Sequence, residues 1–406
     1  MNCTMSIPIA RASALLKENP CSYIEGKESI IKTTLTAVRV DLGAVGGHLQ
    51  PSELLMSSVR ASVEEKRDNL LIDCWVNFTG DDITILCTHE NGIDSPKIRE
   101  ALWDAFEKGA ATAGEQGLYG VGQDIRDTGM TWAAKGLGPA LAEMSFEERS
   151  NEAFLIFSID KALPGAFNLP FYLAFADPMH CPGLILSPRM RQGFRLVIMD
   201  VLYKEYDREI ELNAPEDIYN MAALLRDQNR YAIRRIESRS TDEQAVASST
   251  TRMSNIAGKI MGKDDPVAIV RIQDAFPAAG EVVAPFQIGP YVGGFMRGCH
   301  HGPLMPVPLS TKVSYFDGPP IVSCAAFGLR EGRLTPPVDV FEHPMWDHVR
   351  NRLADKAVEI RRQGFFGNAM QPFETIHYGG LINILRDLDE RFEIKRIRLT
   401  DSWTDS

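Results

Sequence analysis

The stretch LLIDCWVNFTGDDITILCT, residues 70–88, contains two apolar runs separated by a short polar turn. Residues 70–78 and 83–88 have the lengths and the β-branched and aromatic content of strands. Their separation is typical of a hairpin, so the two runs predict an antiparallel strand pair. Antiparallel neighbours argue against a doubly wound parallel sheet, and they favour an α/β protein of the α+β type with largely antiparallel or mixed sheets.

Outward from this hairpin the chain alternates strand-like and helix-like segments without repeats. We expect Ser52 to cap the first helix. Further strands are predicted at 31–40, 154–159, 194–202, 230–238 and 267–273, and helices at 51–66, 95–114, 215–227, 345–362 and 380–391. We therefore predict one large catalytic domain at 31–395, a flexible N-terminal extension at 1–30 and a C-terminal tail at 396–406.

Composition limits the classes of partner. The 406 residues carry a formal net charge of −11, which disfavours binding to nucleic acid because phosphate backbones need a basic surface. No apolar stretch reaches the roughly 18 residues that suggest a membrane span. The seven cysteines are scattered and form no CxxC pair, which favours a reducing compartment, and we predict a cytoplasmic protein. Organellar import through residues 1–30 stays open.

Acidic residues recur at the edges of the apolar runs. Magnesium prefers carboxylate oxygens together with water and substrate phosphate, so a cluster of such residues could hold two or more ions. Any single aspartate could equally be a turn residue, but two Asp-Asp pairs favour the metal hypothesis. Zinc fits less well, because no His/Cys set has ligand spacing. The candidate ligands are Asp41, Asp81, Asp82, Asp160, Asp264 and Asp265.

Lys263 directly precedes one of these Asp-Asp pairs. A lysine that forms a Schiff base must lose its proton. Neighbouring carboxylates oppose that loss, whereas nearby divalent ions favour it. From the residues alone, a structural lysine that pairs with an acid is the alternative.

Several residues are candidates for phosphate recognition. Arg297 lies in a glycine-flanked loop, and Lys161 follows Asp160. Glycines precede His48 and permit close backbone approach; the histidine could be a ligand, a phosphate donor or a packed side chain. Nucleotide binding lacks support, because neither GxGxxG nor GxxxxGK[ST] occurs at a strand-to-helix junction.

A series of short motifs runs through the chain in a fixed order. They are Val40-Asp41-Leu42-Gly43, Gly47-His48, Gly80-Asp81-Asp82, Gly117-Leu118-Tyr119, Gly122-Gln123-Asp124, Gly136-Leu137-Gly138-Pro139, Ala142-Glu143-Met144, Asp160-Lys161, Pro164-Gly165-Ala166, Asn168-Leu169-Pro170, Gly262-Lys263-Asp264-Asp265-Pro266, Met296-Arg297-Gly298, His300-His301-Gly302-Pro303 and Phe316-Asp317-Gly318-Pro319-Pro320. With these motifs the chain resembles the archaeal-type fructose-1,6-bisphosphate aldolase/phosphatase family, over nearly its whole length.

The resemblance implies a single-domain four-layer α-β-β-α sandwich that assembles as a homo-octamer. It implies that Lys263 forms the Schiff base with dihydroxyacetone phosphate and that Asp41 also accepts a proton during phosphate hydrolysis. The implied Mg²⁺ ligands are Asp41, Asp81, Asp82, Gln123, Asp160, Asp264 and Asp265. The implied contacts of the sugar-phosphate substrate are His48, Tyr119, Lys161, Gln273, Arg297, Asp317 and Tyr378.

The chain departs from the family pattern at two positions. Ile260 stands where the family has the aldolase tyrosine, and Trp132 stands where it has a glycine of a substrate-binding stretch. A hydrocarbon cannot exchange a proton, so we expect fructose-1,6-bisphosphatase activity first and aldolase activity through Lys263 second. One alternative is a lyase or phosphatase for another phosphorylated ketose or aldehyde. The other is a non-catalytic metal-binding scaffold.

Overall fold

The structure is a computed structural model that describes residues 32–125, 139–203, 206–250, 252–254, 260–262, 265–288, 291–293, 301–313, 319–362 and 380–397. Several positions singled out above lie outside these ranges. They are the 1–30 extension, Trp132, Lys263, Asp264, Arg297, Asp317 and Tyr378.

Two sheets carry most of the strands. The smaller sheet has the order β2-β3-β1-β4 and is antiparallel throughout. The larger sheet has the order β15-β16-β5-β12-β9-β8-β6-β7-β19, with β17 and β18 paired to β16, and it is mixed because β15 runs parallel to β16. The strands are β1 Lys32–Val40, β2 Asp73–Thr79, β3 Asp82–His89, β4 Ala140–Glu147, β5 Glu152–Asp160, β6 Phe194–Asp200, β7 Tyr206–Asn213, β8 Tyr231–Ser238, β9 Gln244–Ser248, β10 Arg252–Ser254, β11 Ile260–Gly262, β12 Val267–Arg271, β13 Tyr291–Gly293, β14 His301–Pro303, β15 Met305–Pro306, β16 Ile321–Arg330, β17 Arg333–Leu334, β18 Val338–Asp339 and β19 Glu393–Ile397.

The helices begin where the local sequence supplies the expected signals. Ser52 caps the first helix, since its side chain accepts a hydrogen bond from the Leu55 amide at 3.1 Å, and Pro96 opens the second. The helices are α1 Glu53–Glu64, α2 Pro96–Glu115, α3 Asn168–Phe175, α4 Gly183–Leu186, α5 Ile218–Leu225, α6 Ala279–Val283, α7 Met345–Arg362 and α8 Gly380–Asp389, with a 3₁₀ turn at Ala284–Gln287. None of the described helices is long and apolar enough to cross a bilayer.

Three large apolar cores join these elements in the described part of the chain. One lies between α1, α2 and the smaller sheet, and one lies between the two sheets. The third lies between the larger sheet and helices that include α3, α5, α6 and α8. In the inter-sheet core, Phe154 of β5 stacks on Phe327 of β16 with ring centroids 5.6 Å apart. Burial of each such side chain contributes about 1.5–3 kcal/mol, so both faces of each sheet help to hold the strand ends in place.

The predicted antiparallel hairpin is confirmed. β2 pairs antiparallel with β3, with Cys74 opposite Cys87 and Thr79 opposite Asp82. The mixed α/β domain with antiparallel and mixed sheets agrees with the predicted fold class. The sequence pattern missed β4, β7 and β16 among the longer strands, and it missed α3. The last described strand, β19, ends at Ile397 and crosses the boundary that we placed at residue 395.

A chain of side-chain hydrogen bonds runs across the smaller sheet from His89 on β3 through Thr36 on β1 to Glu143 on β4. His89 is fully buried. The Asn91 amide donates to Nδ1 of His89 at 3.2 Å, so Nδ1 carries no proton in this arrangement. Nε2 lies 2.9 Å from Oγ1 of Thr36, which in turn donates to Glu143 at 3.2 Å. Burial lowers the pKa of His89 to about 4, because a charged imidazole would be poorly solvated there.

This histidine should make the protein sensitive to mild acid. Between pH 6.5 and about 4 the unfolded chain takes up a proton at His89 that the folded chain does not, so stability falls as pH falls through this window. The full loss is about 3 kcal/mol. We expect His89→Gln to flatten the dependence of the urea midpoint on pH across this window. The exposed His348→Gln is the control, and an unchanged slope in His89→Gln would contradict the assignment.

Candidate active site

Both sheets end in aspartates on the same side of the molecule. Asp41 follows β1 and Asp82 begins β3; one step beyond the Val40–Ile83 pair, the register places them opposite each other. Asp160 ends β5 and Asp265 precedes β12; two steps beyond the Ser158–Val267 pair, the register sets these two opposite each other. Strand pairing within each sheet, and the packing of the sheets, therefore bring carboxylates together that are far apart in sequence.

The structure forms two overlapping groups of possible metal ligands. Asp41, His48 and Asp81 make one group, and Asp81, Asp82 and Asp160 make the other; within each, one ligand atom per residue lies within 4.8 Å of the others. All four aspartates are buried, and Asp81 belongs to both groups. The carboxylate of Asp81 is thus the geometric link between the two.

Two buried cations partly neutralise the carboxylates. Lys161 donates to Asp81 and, at 3.3 Å, to Asp160. Nη2 of Arg39 lies 2.9 Å from Asp82 and 3.9 Å from Asp160, so this side chain on β1 of the smaller sheet reaches β5 of the larger one. Arg39 also donates to the carbonyl of Thr79 at 3.0 Å, which fixes the turn that carries Asp81.

Negative charge nevertheless exceeds positive charge at this site. Burial, together with the neighbouring carboxylates, raises the pKa of Asp41 and of Asp160 well above the usual range. Burial also opposes ionisation of Asp81, but Lys161 and His48 outweigh it and lower the pKa of Asp81. Arg39 and Lys161 therefore do not compensate the whole carboxylate set, and bound divalent cations would supply the missing positive charge.

The donor atoms fit a hard divalent cation. Oδ2 of Asp160 is fully buried and has no hydrogen-bond partner among the described residues. The carboxylate lies directly against the backbone of Gly80, where a Cβ would come within 1.7 Å of that oxygen. Apart from one imidazole, the donors are carboxylate oxygens, which suit Mg²⁺ better than zinc. The described residues thus provide an acidic centre that could hold metal.

The loop after α2 supports Asp41. The backbone N–H of Asp41 donates to the carboxylate of Asp124 at 2.8 Å. Oδ1 of Asp41 accepts from the Gly43 amide at 2.9 Å. A Cβ on Gly120 would lie 3.2 Å from Oε1 of Gln123 and 4.0 Å from Oδ2 of Asp41, so both side chains lie next to Gly120. Buried Asp124 thus positions Asp41, a role that was not predicted although Asp124 stands next to Gln123 in one of the matching motifs.

Two predicted substrate contacts meet beside this centre. Tyr119 exchanges backbone hydrogen bonds with Ala44, both at 2.9 Å. Its ring lies edge-on to His48 with centroids 4.9 Å apart, and Tyr119 is half exposed. Nδ1 of His48 lies 2.7 Å from Asp81. The pair connects the acidic centre with solvent, where a substrate could enter.

Gln273, another predicted substrate contact, lies far from the acidic centre in the structure. It follows the far end of β12, and the Ile272 amide donates to Ala153 at the start of β5. Asp160 ends β5, so the strand separates Gln273 from Asp160 by about 25 Å at roughly 3.3 Å per residue. Arg149 donates to the carbonyl of Gln273 at 3.0 Å and holds this turn. One chain therefore does not bring Gln273 to the acidic centre.

The remaining predicted site residues, Lys263, Asp264, Arg297, Asp317 and Tyr378, lie outside the described residues. Asp265 is described: Oδ1 accepts from the Ala162 amide at 3.0 Å, which ties the segment before β12 to the residue after Lys161. The roles assigned to all of these residues stay predictions.

Fold and site together define a mixed α/β protein with a buried acidic centre suited to divalent cations. A sequence model described as fructose-1,6-bisphosphatase matches residues 32–393. The chain therefore belongs to the fructose-1,6-bisphosphatase family, and the resemblance inferred from the motifs is confirmed.

Relatives with the name fructose-1,6-bisphosphate aldolase/phosphatase cover most of the chain. The protein from Thermus thermophilus is 49% identical over 362 residues, which is 89% of this chain and 100% of the relative. Those from Ignicoccus hospitalis and Methanothermobacter marburgensis are 41% and 40% identical over 89% of this chain, and over 93% and 99% of their own lengths.

Proposed function

We propose that this chain is a Mg²⁺-dependent fructose-1,6-bisphosphatase that binds several ions. The observation that carries the proposal is the buried carboxylate centre around Asp81, with its uncompensated negative charge, in a chain of this family. Mg²⁺ would be held by Asp41, Asp81, Asp82 and Asp160, with Gln123, Asp264 and Asp265 as further proposed ligands. When bound, it neutralises phosphoryl oxygens and assists a water nucleophile.

The side chains around the centre have separable roles in this proposal. Asp41 accepts the proton of the attacking water, and Asp124 holds the backbone of Asp41 in place. His48 and Tyr119 contact the sugar phosphate where the centre opens to solvent. Lys161 keeps Asp81 and Asp160 in fixed positions, because it donates to both. Arg297, Asp317 and Tyr378 are the further proposed contacts of the substrate, and Gln273 would contact it from a second copy of the chain in the proposed homo-octamer.

We propose aldolase activity as a second function. The Lys263 amine would attack the carbonyl carbon of dihydroxyacetone phosphate, and the carbonyl oxygen would leave as water to give a Schiff base. Loss of a proton from the adjacent carbon then gives the enamine, which attacks the aldehyde of a second triose phosphate. Ile260 cannot transfer protons in these steps, and such assistance is typically worth about 10²–10⁴ in rate.

Phosphate release tests the main proposal. Purified protein freed of metal with EDTA should release no phosphate from fructose 1,6-bisphosphate, and added Mg²⁺ should restore release. A screen of other phosphorylated ketoses and aldehydes tests the alternative that Trp132 and Ile260 have changed the substrate. Metal binding without release from any sugar phosphate would contradict the phosphatase proposal and would support the scaffold alternative.

Borohydride trapping tests the aldolase proposal separately. The protein should gain the mass of reduced dihydroxyacetone phosphate on Lys263, and Lys263→Ala should not. Labelling of Lys263→Ala at an equal rate would exclude this lysine as the attachment point.

We further propose that the protein acts in the cytoplasm as a homo-octamer. Sedimentation of the purified chain would test the oligomeric state.

A further inference from the structure

The loop between β15 and β16 forms backbone hydrogen bonds with two segments of the acidic centre, the turn that carries Asp81 and the loop that carries His48. The carbonyl of Thr311 accepts from the Gly80 amide at 2.9 Å, one residue before Asp81. Two residues further on, the Val313 amide donates to the carbonyl of Leu49, directly after His48, at 3.0 Å. Lys312 therefore lies between two backbone contacts, one to the Asp81 turn and one to the His48 loop.

This loop is rigidly held on either side of Lys312. Oγ1 of Thr311 donates to the carbonyl of Pro308 at 2.6 Å, and Ser310 donates to Asn77 of β2 at 2.6 Å. Val313 is buried in a small apolar cluster, whereas Lys312 is exposed. The backbone is thus fixed next to the Asp81 turn and the His48 loop, while Lys312 itself is exposed.

The charges around the centre leave a role for such a cation. A phosphate ester that approaches buried carboxylates is repelled unless positive groups face it. Among the described residues, Arg39 is fully buried against Asp82, and Lys161 is buried against Asp81 and Asp160. Both are engaged by carboxylates, whereas Lys312 is exposed and close to the same turn.

We propose that Lys312 binds a phosphate group of the substrate at the entrance of the acidic centre. The inference rests on the proposed phosphatase function and adds to it a residue that sets affinity for phosphorylated substrates. A flexible lysine ammonium suits this role, since it acts as a point charge with three rotatable donors. Its neighbours Thr311 and Val313 keep it beside both His48 and Asp81.

The test compares Lys312→Gln and Lys312→Arg with the unchanged chain. The matched control is Lys97→Gln: Lys97 is exposed at the N-terminal end of α2, about 30 Å along the helix from the loop that carries Gln123. With fructose 1,6-bisphosphate and Mg²⁺, we expect Lys312→Gln to raise KM about tenfold, as for one charged hydrogen bond, with kcat within about twofold. Lys312→Arg should restore most of the affinity, and Lys97→Gln should leave both constants unchanged.

Binding of inorganic phosphate gives a readout that does not need turnover. Calorimetry on the Mg²⁺-loaded proteins should show about tenfold weaker phosphate binding in Lys312→Gln, and added NaCl should weaken the unchanged chain more than the variant. Equal phosphate affinity, or a fall in kcat at constant KM, would overturn the proposal. If the unchanged chain releases no phosphate but binds it through Lys312, the phosphatase proposal fails and the lysine proposal stands.

Discussion

Replacement of Gly80 by alanine is expected to reduce phosphate release at least about a hundredfold, the usual cost of a misplacement near 1 Å. A Cβ at this position would lie 1.7 Å from Oδ2 and 2.2 Å from Cγ of Asp160. The carboxylate ends β5, and its partners Lys161 and Arg39 are buried, so it has little room to withdraw. Either Asp160 or the turn that carries Asp81 must move, and this movement would separate the possible metal ligands Asp81 and Asp160.

Gly80 also has φ of +66°, a conformation in which a side chain adds strain. Gly92→Ala is the matched control, because Gly92 has φ of +74° and nothing within 4 Å of the new Cβ. We expect this control to lose some stability and to keep its activity. Phosphate release and Mn²⁺ binding to the metal-free protein would be measured in both. Equal activity of the two variants would show that the contact with Asp160 is unimportant.

Asp81→Asn is the second change with a large expected effect. The carboxylate belongs to both possible ligand groups and accepts hydrogen bonds from Lys161 and His48. The amide keeps an oxygen but loses the charge, so both groups should hold metal more weakly. We expect phosphate release to fall about 10²–10³-fold, as for loss of one strong electrostatic contact at a reacting centre.

The measurement is phosphate release as a function of Mg²⁺ concentration. In Asp81→Asn the concentration for half-maximal rate should rise, and excess Mg²⁺ should restore only part of the rate. Asp104→Asn is the control, since Asp104 is an exposed residue of α2 that pairs with Lys66. A Mg²⁺ dependence of Asp81→Asn that matches the control would rule out Asp81 as a shared ligand.

Much of the fold could be predicted from local pattern. The hairpin of β2 and β3, the cap at Ser52 and the helix Met345–Arg362 follow from alternation, capping and periodicity, and these signals act over a few residues. β7 was missed because its first half contains the charged run Asp207-Arg208-Glu209, which resembles a solvated segment. In the structure both are buried, and Arg234 on β8 pairs with each of them.

Some residues of the candidate site could likewise be predicted from local sequence, and others could not. Aspartates at strand ends are visible in the sequence, because a carboxylate that interrupts an apolar run is a local signal. Arg39 gave no such signal, since it lies inside an apolar run and its partners Asp82 and Asp160 come from two different sheets. Gln273 was grouped with the site by resemblance, whereas the length of β12 places it at the opposite end of the sheet.

The sequence by itself determined the family, the strand-end carboxylates and the antiparallel hairpin, because each depends on residues close together in the chain. Only the tertiary structure decided which carboxylates share space, that Asp81 links two groups and that Lys312 stands beside them. These relations depend on strand register and on how the two sheets pack. Burial in the inter-sheet core fixes both, and no short segment records them.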